Sequence, residues 1–202
     1  MANIALIGAS GRGGSRILKE LSDRGHQVTA IARNPDRISA LPGVKAVRGD
    51  VFDEAGLAGL LRGHDAVVSA VHFTSSDAKT LIGAVRASGV RRYVVMGGAG
   101  SLLAGGKPLI DSPDFPEAYK AEASRGAAFL ELLKRTDDLD WSFVSPSAEI
   151  FEGERTGSFR LGKDELLVGP DGSRISFEDF AVALVDEIEK SGHLRQRFTV
   201  GY

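Results

Sequence analysis

Three glycines near the start of the chain have the spacing of a phosphate-binding turn. Gly8, Gly11 and Gly14 follow a short apolar run and lead into a helical pattern. The first would allow a sharp turn, the second would let the backbone approach a pyrophosphate, and the third would let the helix pack closely on a sheet. The anion would then lie at the positive end of the helix dipole. The turn residues that we expect to contact a dinucleotide are Gly8, Ser10, Gly11, Arg12, Gly13 and Gly14.

The spacing of this turn differs from the more usual G-x-G-x-x-G, and no Gly-Lys-Ser/Thr follows it as in a Walker loop. A purely structural turn is the alternative. The turn closes the first predicted strand and opens the first predicted helix of an alternating series, and this position favours dinucleotide binding.

The type of dinucleotide is indicated by the end of the second predicted strand. An NAD site usually has an acidic residue there, which binds the ribose 2′-hydroxyl, whereas this chain has Arg33. A guanidinium binds a 2′-phosphate and offers no acceptor to a hydroxyl. With Arg12 inside the turn and Arg37 just beyond the strand, the sequence favours NADP(H) over NAD(H). The alternative is that Arg33 is a solvated loop charge.

Further cofactor contacts are expected where other predicted strands end, since ligands of such sheets bind beyond the carboxyl ends of the strands. Asp50 could accept a hydrogen bond from an adenine amine, or it could cap a turn. The segment 70–72 lies at the crevice where a cofactor would cross the sheet. The residues expected at these strand ends are Asp50, Val51, Ala70, Val71, His72, Ser145 and Pro146.

These residues must be positioned by alternating strands and helices. Six apolar runs indicate strands: "NIALIGA", "HQVTAIAR", "VKAVRGDV", "DAVVSAV", "RRYVVMGG" and "LDWSFVSP". Between several of them, apolar residues recur at i, i+3, i+4 and i+7, which is typical of one helix face. The alternation implies right-handed βαβ units. We therefore expect an α/β fold, a doubly wound, Rossmann-like parallel sheet with helices on both faces and the strand order 3-2-1-4-5-6.

The pattern of predicted elements changes after Pro146. Short strand candidates alternate with Gly-rich turns, Ser176 and Asp179 resemble a capping box before a last helix, and "QRFTVGY" indicates a closing strand. No linker or internal repeat divides the chain. We expect one domain over residues 1–202, in which residues 146–202 form a small extension on the substrate side.

Composition excludes several classes of function. The 202-residue chain has a net charge of −2, so it has no basic footprint for nucleic acid or a membrane surface. The absence of cysteine excludes thiolate catalysis and disulfides. No basic leader and no membrane-spanning apolar run is evident, so we expect a cytoplasmic protein, with its oligomeric state left open. No metal site is expected, because the histidines lack ligand spacing; they are His26, His64, His72 and His193.

Several strings in this chain resemble a known family. "IGASGRGGSRIL", "DWSFVSPSAE", "ERTGSFRLG" and the terminal "RFTVGY" resemble the atypical short-chain dehydrogenase/reductases, in particular the NADH-flavin reductase group, which is related to biliverdin reductase B and NmrA-like proteins. The resemblance covers essentially the whole chain. It implies a nicotinamide cofactor, hydride transfer to FMN, FAD or a similar planar acceptor, and a backbone role for Pro146 beside the nicotinamide.

The usual catalytic relay of short-chain dehydrogenases, Tyr-x-x-x-Lys with a serine, is displaced here. Tyr119 has Ala123 at i+4, and Lys120 points about 100° away from Tyr119 around the helix. Reduction of a carbonyl benefits from such a positioned acid, whereas hydride transfer to a flavin needs mainly stacking and orientation. The missing relay therefore favours a flavin-type or quinone-type acceptor.

No catalytic residue is settled by the sequence. The candidates for a proton donor are Ser101, Tyr119 and His72, with a turn for Ser101, partly exposed packing for Tyr119 and a loop position for His72 as the alternatives. Other residues expected near the pocket are Phe73, Lys107, Phe115, Glu149 and Phe151. Two alternatives to a reductase stay open. A non-catalytic NADP(H)-sensing regulator of the NmrA type would also lack the relay. An epimerase or dehydratase is less favoured, because it would need the relay and a larger sugar-binding part.

Overall fold

The computed structural model describes residues 1–202. The strands are β1 (Asn3–Ile7), β2 (Gln27–Ala32), β3 (Val44–Arg48), β4 (Ala66–Ser69), β5 (Arg92–Met96), β6 (Leu103–Ala104), β7 (Lys107–Pro108), β8 (Asp140–Pro146), β9 (Glu149–Phe151), β10 (Arg160–Gly162), β11 (Arg174–Ser176) and β12 (Gln196–Gly201). The helices are α1 (Arg12–Asp23), α2 (Glu54–Leu61), α3 (Ala78–Ser88), α4 (Glu117–Lys134) and α5 (Phe177–Lys190). Short 3-10 helices lie at Pro35–Arg37, Phe73–Ser75 and Leu109–Asp111.

Eight strands form one sheet in the order β10-β12-β8-β5-β4-β1-β2-β3. All neighbouring pairs are parallel except β10 with β12, which is antiparallel. The six strands predicted from the sequence therefore adopt the expected 3-2-1-4-5-6 order of a doubly wound fold. The closing strand β12 extends the sheet beside β8, and β10 forms its outer edge.

Helices cover both faces of this sheet because its strands are apolar on both sides. Val67 and Val68 of β4 are both fully buried, yet they belong to different core clusters. One cluster packs the sheet against α2, α3 and α4, and the other packs it against α1 and α5. Burial on both faces is what a parallel sheet requires. None of the helices is both long and apolar enough to cross a membrane.

The third strand is shorter than its apolar run suggests. β3 ends at Arg48, so Asp50 and Val51 lie beyond the strand and not at its end. Gly49 donates its N–H to the Ala32 carbonyl at 3.1 Å, and the chain then turns. The Asp50 carboxylate accepts the Phe52 N–H at 3.0 Å. The turn-capping role left open for Asp50 is therefore observed.

Candidate functional site

A large cavity lies over the carboxyl ends of four neighbouring strands. The register places Ile7 beside Ser69 and Met96 beside Val144, so β1, β4, β5 and β8 end at the same edge of the sheet. The volume of the cavity is about 820 Å³, a size typical of small-molecule sites. It lies where the strand order reverses, because β1 pairs with both β2 and β4. Doubly wound sheets bind their ligands at this point.

The glycine turn forms one wall of this cavity, and its three glycines have different reasons to lack a side chain. Gly8 has a φ of +85°, and a Cβ there would lie 2.5 Å from the Ala70 carbonyl oxygen. A Cβ on Gly14 would overlap the Gly8 carbonyl. A Cβ on Gly11 would meet nothing closer than the Gly8 oxygen at 3.4 Å. Packing therefore requires glycine at positions 8 and 14, whereas the space beside the Gly11 Cα is open and can be occupied by a ligand.

The amino end of α1 is the second feature that fits an anion. Gly11 is its N-cap and provides no side-chain cap, and the first turn contains no acidic residue. By contrast, Asp53, Asp77 and Ser176 cap α2, α3 and α5 through their side chains. The first N–H groups of α1 thus lack the capping side chain that those three helices have. A helix end of this kind binds phosphate groups.

A smaller pocket lies beside the ends of β2 and β3. Its volume is about 420 Å³, and Arg33, Arg48 and Asp50 are among its lining residues. Both arginines are exposed. Neither of them takes part in the ion pairs of the structure. Two unpaired guanidiniums facing one pocket can bind a phosphate.

Sequence reasoning missed Arg48. The signal was present, because β3 pairs in parallel with β2 and places Arg48 directly beside Ala32, the residue before Arg33. Recognising it required the register of two strands as well as the composition of each.

Arg12 does not join Arg33, contrary to the expectation that both select the same phosphate. Arg12 lines the large cavity. Its Nε lies 3.7 Å from a carboxylate oxygen of Glu152, and its guanidinium lies 5.0 Å from the centre of the Phe177 ring. As the first residue of α1 it is directed towards the start of α5, whereas Arg33 follows β2 at the smaller pocket.

The remaining residues predicted at strand ends separate into two groups. Ala70, Val71, His72 and Pro146 line the large cavity. Ser145 does not line it, because it is fully buried within β8. The Ser145 hydroxyl has no hydrogen-bond partner. Alternate residues of a strand point to opposite faces, so adjacency to a lining residue does not place a side chain in the cavity. Neither pocket is lined by Val51 or by Ser10.

The structure also keeps Tyr119 and Lys120 from forming the usual catalytic pair. Tyr119 lines the cavity and is 63% exposed. Lys120 pairs with Glu117 at 2.7 Å. Ala123 packs closely on the loop after β5, because a Cβ added to Gly100 would lie 2.6 Å from the Cβ of Ala123. The usual tyrosine and lysine pair is therefore absent from this helix face.

The other candidates differ in whether they line the cavity. Ser101, Phe73, Phe115 and Glu149 line the cavity, and the Ser101 hydroxyl accepts a hydrogen bond from Arg197 Nη1 at 3.2 Å. Two candidates do not line it. Lys107 lies in the β6–β7 hairpin, and Phe151 packs instead against Tyr202 and under the Arg174 guanidinium.

Tyr93 is not an alternative proton donor. It is fully buried, and its hydroxyl bonds only to that of Ser69, at 2.9 Å. Burial raises the pKa of Tyr93 above its ordinary value. A phenol held neutral inside the core has no route to a ligand.

Glu122 is a lining residue that sequence reasoning did not find. Its carboxylate accepts the Phe73 N–H at 2.7 Å, the Thr74 N–H at 2.9 Å and the Thr74 hydroxyl at 2.7 Å. It also lies 3.3 Å from His72 Nδ1. Burial by itself would raise the pKa of Glu122, but the hydrogen bonds from Thr74 and Phe73 outweigh it and lower that pKa. No local pattern connects α4 to a turn about fifty residues earlier.

Comparison with known proteins agrees with this geometry. A family model described as NAD(P)H-binding matches residues 8–188. A protein of Burkholderia pseudomallei described as a "putative exported protein" is 46% identical, with a TM-score of 0.90 and complete coverage of both chains, 100% each. A "putative epimerase" of Bacteroides thetaiotaomicron is 40% identical, with a TM-score of 0.93, covering 99% of this chain and 96% of that one.

A third solved structure is also similar over its whole length. It is a protein of Streptococcus pneumoniae described as a "putative NADH-flavin reductase", 33% identical, with a TM-score of 0.84 and coverage of 100% of this chain and 99% of that one. The family model spans most of the chain, including the glycine turn, all five helices except the end of α5, and the segment after β8. The chain therefore belongs to the NAD(P)H-binding family.

Proposed function

We propose that this protein is an NADPH-dependent oxidoreductase that transfers hydride to a flavin or a similar planar acceptor, such as a quinone. One observation carries the proposal. The large cavity begins at the glycine turn and continues past the carboxyl ends of β4, β5 and β8 to aromatic side chains, which are Phe73, Phe115 and Tyr119. A single cavity thus joins an anion-binding helix end to a surface suited to a planar ring.

The residues present fit a nicotinamide dinucleotide. The open space at Gly11 and the uncapped end of α1 would hold the pyrophosphate. Arg33 and Arg48 would bind the 2′-phosphate of NADP(H) in the smaller pocket. Ala70, Val71 and Pro146 would lie beside the nicotinamide. When bound, the reduced nicotinamide supplies a hydride.

The acceptor end of the cavity favours a ring over a small hydroxylated substrate. Its aromatic residues provide flat apolar surface for stacking, and the tyrosine and lysine pair that would serve an alcohol or a sugar is absent. A small-molecule acceptor, with neither nucleic acid nor a membrane as a partner, accords with the net charge of −2.

The direct test is a turnover screen. NADPH and NADH are each supplied with FMN, FAD and quinones, and consumption of the reduced cofactor is followed by absorbance. We expect turnover with NADPH that depends on the added acceptor. Tight NADPH binding without turnover of any acceptor would contradict a reductase. Conversion of a nucleotide sugar, followed by chromatography in a separate incubation, would favour the epimerase class instead.

The displaced relay also favours a second candidate, a non-catalytic sensor of NADP(H). Such a protein would bind the oxidised and reduced cofactors with different affinities and would change its affinity for a protein partner accordingly. Calorimetric titration with NADP⁺ and NADPH distinguishes the two proposals when it is combined with the turnover screen.

A cytoplasmic location is part of the proposal, because the cytoplasm supplies NADPH. The relative from Burkholderia pseudomallei carries a description as an exported protein, so location needs its own measurement. Cell fractionation with an antibody against this chain is expected to recover it with cytoplasmic markers, and recovery in the periplasm or medium would contradict the proposal.

A further inference from the structure

The turn that follows β4 is held to α4 by one carboxylate. Glu122 accepts three hydrogen bonds from Phe73 and Thr74, and each is 2.7–2.9 Å long. Arg125 adds a bond from Nη1 to the Thr74 carbonyl at 3.3 Å. The turn is therefore fixed relative to the helix that forms one side of the acceptor end. His72, the residue before this turn, is fixed with it.

The chemistry of Glu122 determines the proton arrangement of His72. An ionised carboxylate can only accept hydrogen bonds, and the bonds from the turn keep Glu122 ionised. His72 Nδ1, 3.3 Å from Oε1, must then carry a proton in order to bond to it. The remaining nitrogen, Nε2, has no hydrogen-bond partner among the protein groups and belongs to a side chain that lines the cavity. A protonated Nε2 is a proton donor available to a ligand there.

We propose that His72 is the proton donor to the acceptor and that Glu122 is its positioning residue. The inference rests on the proposed reductase function. The hydride brings two electrons and one proton to the acceptor, and the Nε2–H bond of His72 breaks to deliver a second proton to an acceptor nitrogen or carbonyl oxygen. The acceptor is thereby reduced by two electrons, and the neutral imidazole is left with its proton on Nδ1. The His72 side chain is 81% exposed, so water can reprotonate it.

The other ionisable side chains that line the cavity do not bond to the imidazole. They are Arg12, Asp114, Tyr119 and Glu149. Arg12 is paired with Glu152, and Glu149 lies 3.4 Å from Arg174. Glu122 is thus the one carboxylate in contact with His72, which is why a single substitution can test the pair.

The first arm of the test does not depend on turnover. Nitrogen NMR distinguishes the two neutral tautomers of a histidine, and the chain has only four histidines to assign, with His72→Gln identifying the signal. At alkaline pH we expect the proton of His72 on Nδ1 in the wild type, and a smaller fraction of this tautomer in Glu122→Gln, because a neutral amide is a weaker acceptor than a carboxylate and can also donate. Glu117→Gln is the matched control, since Glu117 is on the same helix but does not line the cavity. A wild-type proton on Nε2 would overturn the inference.

The second arm measures turnover against pH. His72→Gln should lower kcat at saturating NADPH by up to about 100-fold, the lower part of the range for a general acid. The pH dependence of kcat should differ between the wild type and this variant, because only the wild type has an ionisable side chain at position 72. An unchanged kcat and pH profile in His72→Gln overturns the proton-donor role. A wild type that reduces no acceptor refutes the proposed function and this role with it, whereas the NMR arm still reports on the pairing.

Discussion

Replacing Gly11 by alanine should separate cofactor binding from folding. A Cβ at this position meets only ordinary van der Waals contact, at 3.4 Å from the Gly8 oxygen, and Gly11 has a φ of −77°, which alanine adopts freely. Alanine is a poorer N-cap than glycine, but it also restricts the unfolded chain, and the two opposing effects are each about 1 kcal/mol or less. We therefore expect the free energy of unfolding of Gly11→Ala to stay within about 1 kcal/mol of the wild type.

Gly8→Ala is the matched opposite. Its φ of +85° is left-handed, and the new Cβ would lie 2.5 Å from the backbone oxygen of Ala70, which cannot move without shifting the end of β4. The left-handed conformation alone costs an alanine about 1–2 kcal/mol, and the backbone overlap adds to it. We expect a loss of about 2–4 kcal/mol in the free energy of unfolding.

Both variants can be compared with the same two measurements. The single tryptophan, Trp141, is 3% exposed, so its fluorescence reports urea unfolding, and calorimetry gives the Kd for NADPH. Gly11→Ala should weaken NADPH binding at least about tenfold, or about 1.4 kcal/mol, because its methyl group occupies the space proposed for the pyrophosphate. Unchanged NADPH binding would refute the assignment of the turn. A loss of stability equal to that of Gly8→Ala would mean that packing, and not a ligand, requires glycine at position 11.

Two further predictions concern charge. Arg33→Ala combined with Arg48→Ala should weaken NADPH binding by about 100-fold or more, since each charge-assisted hydrogen bond contributes about 1.5–3 kcal/mol, and should leave NADH binding as in the wild type. Arg37→Ala is the control, because Arg37, contrary to the expectation from the sequence, does not line the smaller pocket. Equal losses for both cofactors would contradict a 2′-phosphate site. Hydrogen bonds from Arg155 are the main cause of a lowered pKa for the buried Glu20. The ionised Glu20 carboxylate therefore stabilises the fold above its ordinary pKa of 4.5, and this contribution is lost as the pH falls through the lowered pKa. Glu20→Gln should lower the free energy of unfolding by about 1–3 kcal/mol at neutral pH and by much less in acid. Thermal melts of the wild type and the variant at both pH values test this, and an equal difference in stability at the two would refute the linkage.

The architecture could be predicted from the sequence because its signals are local. Runs such as the one containing Val67 and Val68 place apolar residues at successive positions, which indicates strands buried on both faces. Gly8 and Gly14 mark the first strand-to-helix junction, and the structure confirms that packing requires both. Right-handed crossovers then leave few possible orders for the sheet.

The parts of the site that could not be predicted depend on direction and on long-range contacts. Ser145 is adjacent to a lining residue, yet it is buried and does not line the cavity. Arg12 lies in the turn, but its side chain is directed to Glu152, whose position is set by the chain after β9. Glu122 acts on Phe73, a contact between a helix and a distant turn. Only the tertiary packing decides such pairs.

The contact between Gly8 and Ala70 has a consequence for how such a protein can diversify. It joins the glycine turn to the end of β4 through backbone atoms, so the spacing between these two segments is set by the main chain, and only the orientation of the His72 side chain depends on Glu122. The far wall, by contrast, includes Leu109, Ser112, Phe115 and Pro116, from a connection outside the main sheet. Under the proposed function, substitutions there would change which acceptor fits and leave the glycine turn unaltered.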